Sequence, residues 1–235
     1  MLVALDGSEY FCSRKIKCPQ CSTRRRSDGG VECFHAFLGA SVVAPGHTQV
    51  LPLPPEFIAP QDGAEKQDCE RNAAKRWLAR HGPAVAHLRA VYLGDDLFAC
   101  QPIAAAIQGT GGNLGPRRGP SLTCKPSSHQ TITEYLQGAT LEQHRQTVCQ
   151  RGKRTVTTYR WLSGVPLRAT ADAIVVNWFA IEIRNAAGKR TYYNSFLTRP
   201  AGDRRYRGRT GRLRAGSVED RERNLQRAQD QRLQP

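Results

Sequence analysis

Two aspartates and a cluster of cysteines carry most of the chemistry this sequence offers. Asp6 follows the apolar run Leu2-Val3-Ala4-Leu5, and Asp95 follows Leu88–Leu93, so each stands at the C-terminal end of an expected strand. Ligands collect at strand ends of open sheets, and two carboxylates there can share a divalent metal ion. Asp96 is an alternative to Asp95, and a turn or cap role is the plain structural reading of either. Cys18-Pro-Gln-Cys21 is a CxxC, with Cys12 upstream and Cys33 and His35 downstream. Two thiolates at that spacing can grip one side of a tetrahedral Zn2+, and Cys12 and His35 are the best candidates for the other two positions. The competing reading is a set of reduced thiols in a basic loop. A redox role is disfavoured, because the CxxC does not lead from a strand into a helix.

Other groups offer less. His47, His81, His87, His129 and His144 are scattered among turns and helix ends, with no GxSxG or HxxxH nearby, so a Ser-His-Asp hydrolase is unsupported. Gly109–Gly112 (GTGG) lacks the Lys of a phosphate loop. Arg24–Arg26 and Arg117-Arg118 can contact phosphates, although isolated charge runs are more often solvated faces.

The elements that must position these residues alternate between strand and helix. A strand over 1–11, broken at Asp6-Gly7, is followed by a basic loop over 12–30 and a hairpin over 31–58 turning at Ala44-Pro45-Gly46-His47. Asp62 and Glu65 form a variant capping box for a helix over 62–81, closed by Gly82-Pro83, with Cys69, Ala73 and Trp77 on one face. A short strand at Leu88–Leu93 and a helix over Pro102–Gln108 complete an α/β pattern. Residues 113–121 carry too many Pro and Gly for a central strand. Beyond them, 122–198 reads as β-rich, with strands at 155–162, 173–183 and 190–197 and a turn at Asn185–Gly188.

Composition narrows the class further. The 235 residues carry 35 Lys plus Arg against 20 Asp plus Glu, a net +15, which favours a polyanionic partner, most simply nucleic acid. Residues 199–235 hold 11 Arg and 5 acids, leaving +9 for residues 1–198. Only 218–233 of that tail is a helix candidate. No run approaches the ~18 apolar residues of a membrane-spanning helix, and the N-terminus lacks the pattern of a signal peptide, so a cytoplasmic protein without membrane contact is expected.

The strings LDGSEYF, CPQCSTR, VAPGHTQVLPLPPEFIAPQDGAEKQDCE, AAKRWL, YLGDDLF and CKPSSH, in this order between about Leu2 and Thr198, closely resemble the ISNCY-type insertion-sequence transposases of bacteria. The resemblance implies an RNase H-like mixed sheet with flanking helices, plus a β-rich insertion. It also implies a DDE triad of two Asp and one Glu holding two Mg2+ (or Mn2+) ions for in-line attack on a DNA phosphodiester. By position, Asp6 in LDGSE is the first acid, and Asp95, three residues before Phe98, is the second. The implied partners are transposon ends and target DNA, with a homo-oligomer in the intact family. The implied division is a partial catalytic core over 1–112, a β-rich insertion with return strands over 113–198, and an Arg-rich tail over 199–235.

The departures from that pattern are specific. The family has a region ahead of the first strand, whereas here Met1 stands five residues before Asp6. Residues 113–121 replace an apolar strand leading into Thr123-Cys124-Lys125, and no RWKIENE-like helix supplies the third acid. Val218–Pro235 admits codons whose shifted frame reads WKIENETFNVLKTNGYN, so the catalytic Glu codon overlaps those of Arg221 and Glu222. A one-base shift near Thr198/Arg199 is therefore expected, which sequencing the coding DNA through codon 198 checks. The resulting expectation is a truncated transposase domain, inactive alone for want of its third acid. The alternative is a basic, zinc-containing DNA-binding module without catalysis.

Overall fold

The computed structural model describes residues 1–44, 46–60, 68–88, 90–110, 121–150 and 153–198. The expected capping box at Asp62 and Glu65, the Arg117-Arg118 pair and the tail lie outside them.

Strand β1 (Leu2–Ser13) runs straight through Asp6-Gly7 instead of breaking there. The reason is its neighbour: β3 (Val31–Val43) pairs with it antiparallel from Leu2 opposite Val43 to Ser13 opposite Cys33, with one irregularity between Glu9 and Phe11. A continuous ladder partner outweighs the weak strand preference of an Asp-Gly pair. The outer edge of β3 is shared by β2 (Ser22–Arg25), opposite Val31–Phe34, and by β4 (Leu51–Ile58), opposite Ala36–Val42. Pro52, Pro54 and Pro55 sit in β4, where missing N–H groups are tolerated because, among the described strands, it pairs with β3 alone.

Helix α1 (Glu70–Ala86) extends past Gly82-Pro83, which the sequence reads as a stop. Gly82 is buried, and a Cβ there would stand 2.4 Å from Thr110 Cγ2, so only a glycine fits against Thr110 at this turn, and the helix continues through Pro83 to Ala86. Strand β5 (Val91–Gly94) then pairs parallel to β1, α2 (Gln101–Gln108) crosses over, and β6 (Ser121–Thr123) pairs parallel to β5.

The segment read as β-rich contains a helix, α3 (Gln130–Gln137), before the antiparallel strands β7 (Glu142–Gln150), β8 (Lys153–Pro166), β9 (Val175–Asn185) and β10 (Arg190–Thr198). In α3, β-formers such as Thr131, Ile132, Thr133 and Tyr135 mask an amphipathic helix whose Ile132 is buried. The described strands form one mixed sheet in the order β2-β3-β1-β5-β6-β10-β9-β8-β7, with β4 also on β3. The chain is thus mixed α/β, and β6 joins strands from both sides of residue 113.

The main core draws Val3, Leu5 and Leu38 from the sheet, Trp77 and Leu78 from α1, Ile103 from α2 and Ile132 from α3. Full burial of each such side chain contributes roughly 1.5–3 kcal/mol.

Candidate functional site

The parallel register of β1 and β5 sets up the acidic site. Leu2 pairs with Val91, Val3 with Tyr92 and Ala4 with Leu93, so Asp6 and Asp95 each lie two residues beyond the last β1–β5 pair, although Asp6 stays inside β1, opposite Gly39 of β3, rather than at the strand end the sequence suggests. β5 stops at Gly94, where a Cβ would stand 3.0 Å from Phe98 and 3.1 Å from Leu122. The chain turns there into a 3-10 segment, Asp96–Phe98, and Asp95 caps it by accepting the Leu97 N–H at 2.9 Å.

Asp96 is engaged elsewhere. Its carboxylate lies 2.9 Å from His129 Nε2 and accepts the Lys125 N–H, tying the end of β5 to the chain after β6. Asp95 and Asp6 are exposed, and Asp95 is the better candidate of the neighbouring pair.

A third carboxylate stands beside them. Glu70, in the first turn of α1, lies over Gly7, where a Cβ would come within 2.1 Å of its Cδ. Partial burial pushes the Glu70 carboxyl above its ordinary value of 4.5, and the charges of Asp95, Asp6 and Glu9 push it further. These acids repel one another when ionised, and a hard divalent cation is the chemistry that relieves such repulsion. Sequence reasoning missed Glu70 because starting α1 at Asp62 placed it in a helix interior. The available signal was the glycine after Asp6, which leaves room for a helix end to approach β1.

The cysteines fall into unlike environments. Cys18 Sγ and Cys21 Sγ lie 3.7 Å apart, and His35 Nε2 lies 3.3 Å from the first and 3.4 Å from the second. The loop is closed by the Cys21 N–H donating to Cys18 O at 3.1 Å, and the Cys18 N–H points at Cys21 Sγ at 3.2 Å. These three ligand atoms lie within 4.8 Å of one another, so the group can hold a metal ion.

Cys12 is not brought to this group. It pairs with Phe34 across β1 and β3, and its sulfur lies 3.7 Å from Arg24 Nη2. Desolvation and the neighbouring Glu32 raise its pKa. Arg24 also binds Glu32 and Glu9 and lies 5.0 Å over the Phe34 ring, while Arg26 takes the other oxygen of Glu32. Hydrogen bonds from Arg24, Cys12 and Arg26 hold the Glu32 carboxyl down at about 2. Arg24 and Arg26 therefore serve this acid rather than standing as open phosphate contacts. Cys124 is buried, and desolvation, with the charge of Asp96, pushes its thiol up to about 12.

On the outer strands, Arg145 of β7, Arg154 and Arg160 of β8 and Arg184 of β9 line a shallow groove of about 490 Å3. Glu182 lies among them and pairs with Arg160 and Arg184.

No protein-family model, curated protein or solved structure matches the chain. Among the described residues, no helix is long and apolar enough to cross a membrane.

Proposed function

We propose that the chain is an RNase H-like domain of the DDE transposase class, acting on DNA, in which Asp6 and Asp95 hold a divalent metal ion. The observation that carries this reading is the placement of both aspartates where parallel β1 and β5 part, with Glu70 turned toward them. The donor set is all carboxylate, which suits Mg2+ or Mn2+ over softer metals. Bound there, such an ion supplies Lewis-acid activation at a phosphodiester. Asp95 is oriented for this by its bond to Leu97 N–H, Gly7 lets Glu70 approach, and the arginine groove offers contacts for a phosphate backbone. The mixed sheet with α1 and α2 beside it is in keeping with the same fold, and β7 to β10 with the insertion.

In this reading the triad's glutamate is read out of frame, and the chain alone does not join DNA strands. A nicking assay with Mg2+ or Mn2+ tests the claim. Weak or absent cleavage is expected, whereas robust cleavage abolished by Asp6→Ala overturns the inactivity. Mn2+ binding, followed by electron paramagnetic resonance, is expected in the wild type and lost in Asp6→Asn and Asp95→Asn.

A second reading is favoured by the Cys18, Cys21 and His35 group: a zinc-containing, basic DNA-binding module. Two thiolates and an imidazole form a borderline-soft set suited to Zn2+. One zinc per chain by elemental analysis supports it, and a zinc-free, folded chain removes it.

A further inference from the structure

The spacing of the cysteine and histidine group already has the dimensions of a metal site. Zn–S bonds of about 2.3 Å and Zn–N bonds of about 2.0–2.1 Å in a tetrahedron place sulfurs about 3.8 Å from one another and about 3.5–3.6 Å from a nitrogen, within a few tenths of an ångström of the separations here. The observed separations are 3.7, 3.3 and 3.4 Å. Three ligands leave one corner of the tetrahedron to be filled.

Strand register decides between the two remaining thiols at this end of the sheet. Cys33 precedes His35 by two residues on β3, so both side chains emerge on the same face. Ser22 pairs with Phe34 and Thr23 with Cys33, and Cys21, one residue before Ser22, therefore stands beside His35 on that face. Cys12 pairs with Phe34, on the opposite face, where it meets Arg24 and Glu32. Reaching the metal corner from there would require passing through the sheet. Cys33 is half-buried on the face that carries His35, although its sulfur is not among the three ligand atoms already gathered there.

Resting on the zinc reading above, we propose that Cys33 is the fourth ligand of a closed Cys18/Cys21/Cys33/His35 zinc site, and that Cys12 takes no part in it. Binding displaces a proton from each of the three thiols. With four protein ligands the site has no open position, so its role is structural. It fastens the loop before β2 to β3, at the end of the β1–β3 ladder beyond the acidic site.

Cobalt substitution of the purified full-length chain tests this, because each thiolate adds sulfur-to-Co2+ charge-transfer absorption. The wild type is expected to bind one Co2+ with tetrahedral visible bands and a three-thiolate intensity. Cys33→Ser is expected to lose roughly one third of that intensity, one of three thiolates. Its zinc affinity should fall by more than the ~10–100-fold that losing an outer hydrogen-bond partner of a ligand costs. Cys12→Ser should match the wild type in both. Full intensity and affinity in Cys33→Ser, or a one-third loss in Cys12→Ser, overturns the proposal while leaving the zinc reading intact. Absence of metal uptake by the folded wild type removes both. Should Cys33→Ser fail to fold, zinc-edge X-ray absorption of the wild type gives the same count, three sulfurs and one nitrogen expected, two sulfurs overturning it.

Discussion

Gly7 and Glu70 show how little side chain the acidic site tolerates. Because burial, and then the like charges beside it, raise the folded-state pKa of Glu70, its neutral form is the one the fold favours. That contribution is fully present below the ordinary value of 4.5 and is lost as pH rises through the raised folded value. Without divalent metal, Glu70→Gln should therefore raise the melting temperature near pH 7 and leave it unchanged below pH 4.5. Adding Mn2+ should stabilise the wild type more than the variant, narrowing or reversing the difference. Equal melting temperatures at pH 7 without metal would count against the close approach of these acids.

At the scale of elements, α1 is fastened to β4 by ions as well as by Trp77. Arg76 bonds Asp68, whose side chain is fully buried, and Glu56, whose side chain is 8% exposed, while Arg80 takes the other oxygen of Glu56. Removing the shared cation takes a charged partner from buried Asp68 and one of two arginines from Glu56, so Arg76→Met should cost about 3–5 kcal/mol in urea unfolding. A loss under 1 kcal/mol would mean that water reaches Asp68. The sequence shows why α1 was legible and its ends were not. Ala73 and Trp77 announce a buried face, but Gly82-Pro83 reads as a stop in the sequence, whereas the helix runs through it to Ala86. Strand β7 was missed for a related reason. Its residues are polar on both faces, so no period-2 signal exists, and only the ladder with β8 makes it a strand. The hairpin of β3 and β4 was plain, since its apolar runs flank a turn rich in breakers.

For the molecule as a whole, the three residues of β6 carry unusual weight, since they pair with β5 on one side and β10 on the other. Leu122, at their centre, is 3% exposed. Leu122→Ala should cost about 2–4 kcal/mol and still leave one unfolding transition, because the sheet is continuous. Two separate transitions in the wild type would show the halves to be independent. The charge has a whole-molecule consequence too. In the proposed DNA-binding reading, affinity should fall steeply with salt, and Arg145→Ala with Arg154→Ala should lessen the slope of log K against log salt by nearly 2, about 0.9 per phosphate contact. An unchanged slope would rule the arginine groove out as the phosphate contact.

The sequence by itself determined the alternation of strands and helices, the strand-end placing of Asp95, the CxxC with its histidine, and the basic charge. These are local patterns, set by periodicity, turn chemistry and composition. Only the tertiary structure decided which distant groups meet. Ladder register put Cys33 on the face of His35 and Cys12 on the other, and parallel pairing put Asp6 beside Asp95. Glu70 reached both through a gap that exists because residue 7 has no Cβ. Faces and registers depend on partners remote in sequence, and a shift of one residue in a ladder reverses every side chain.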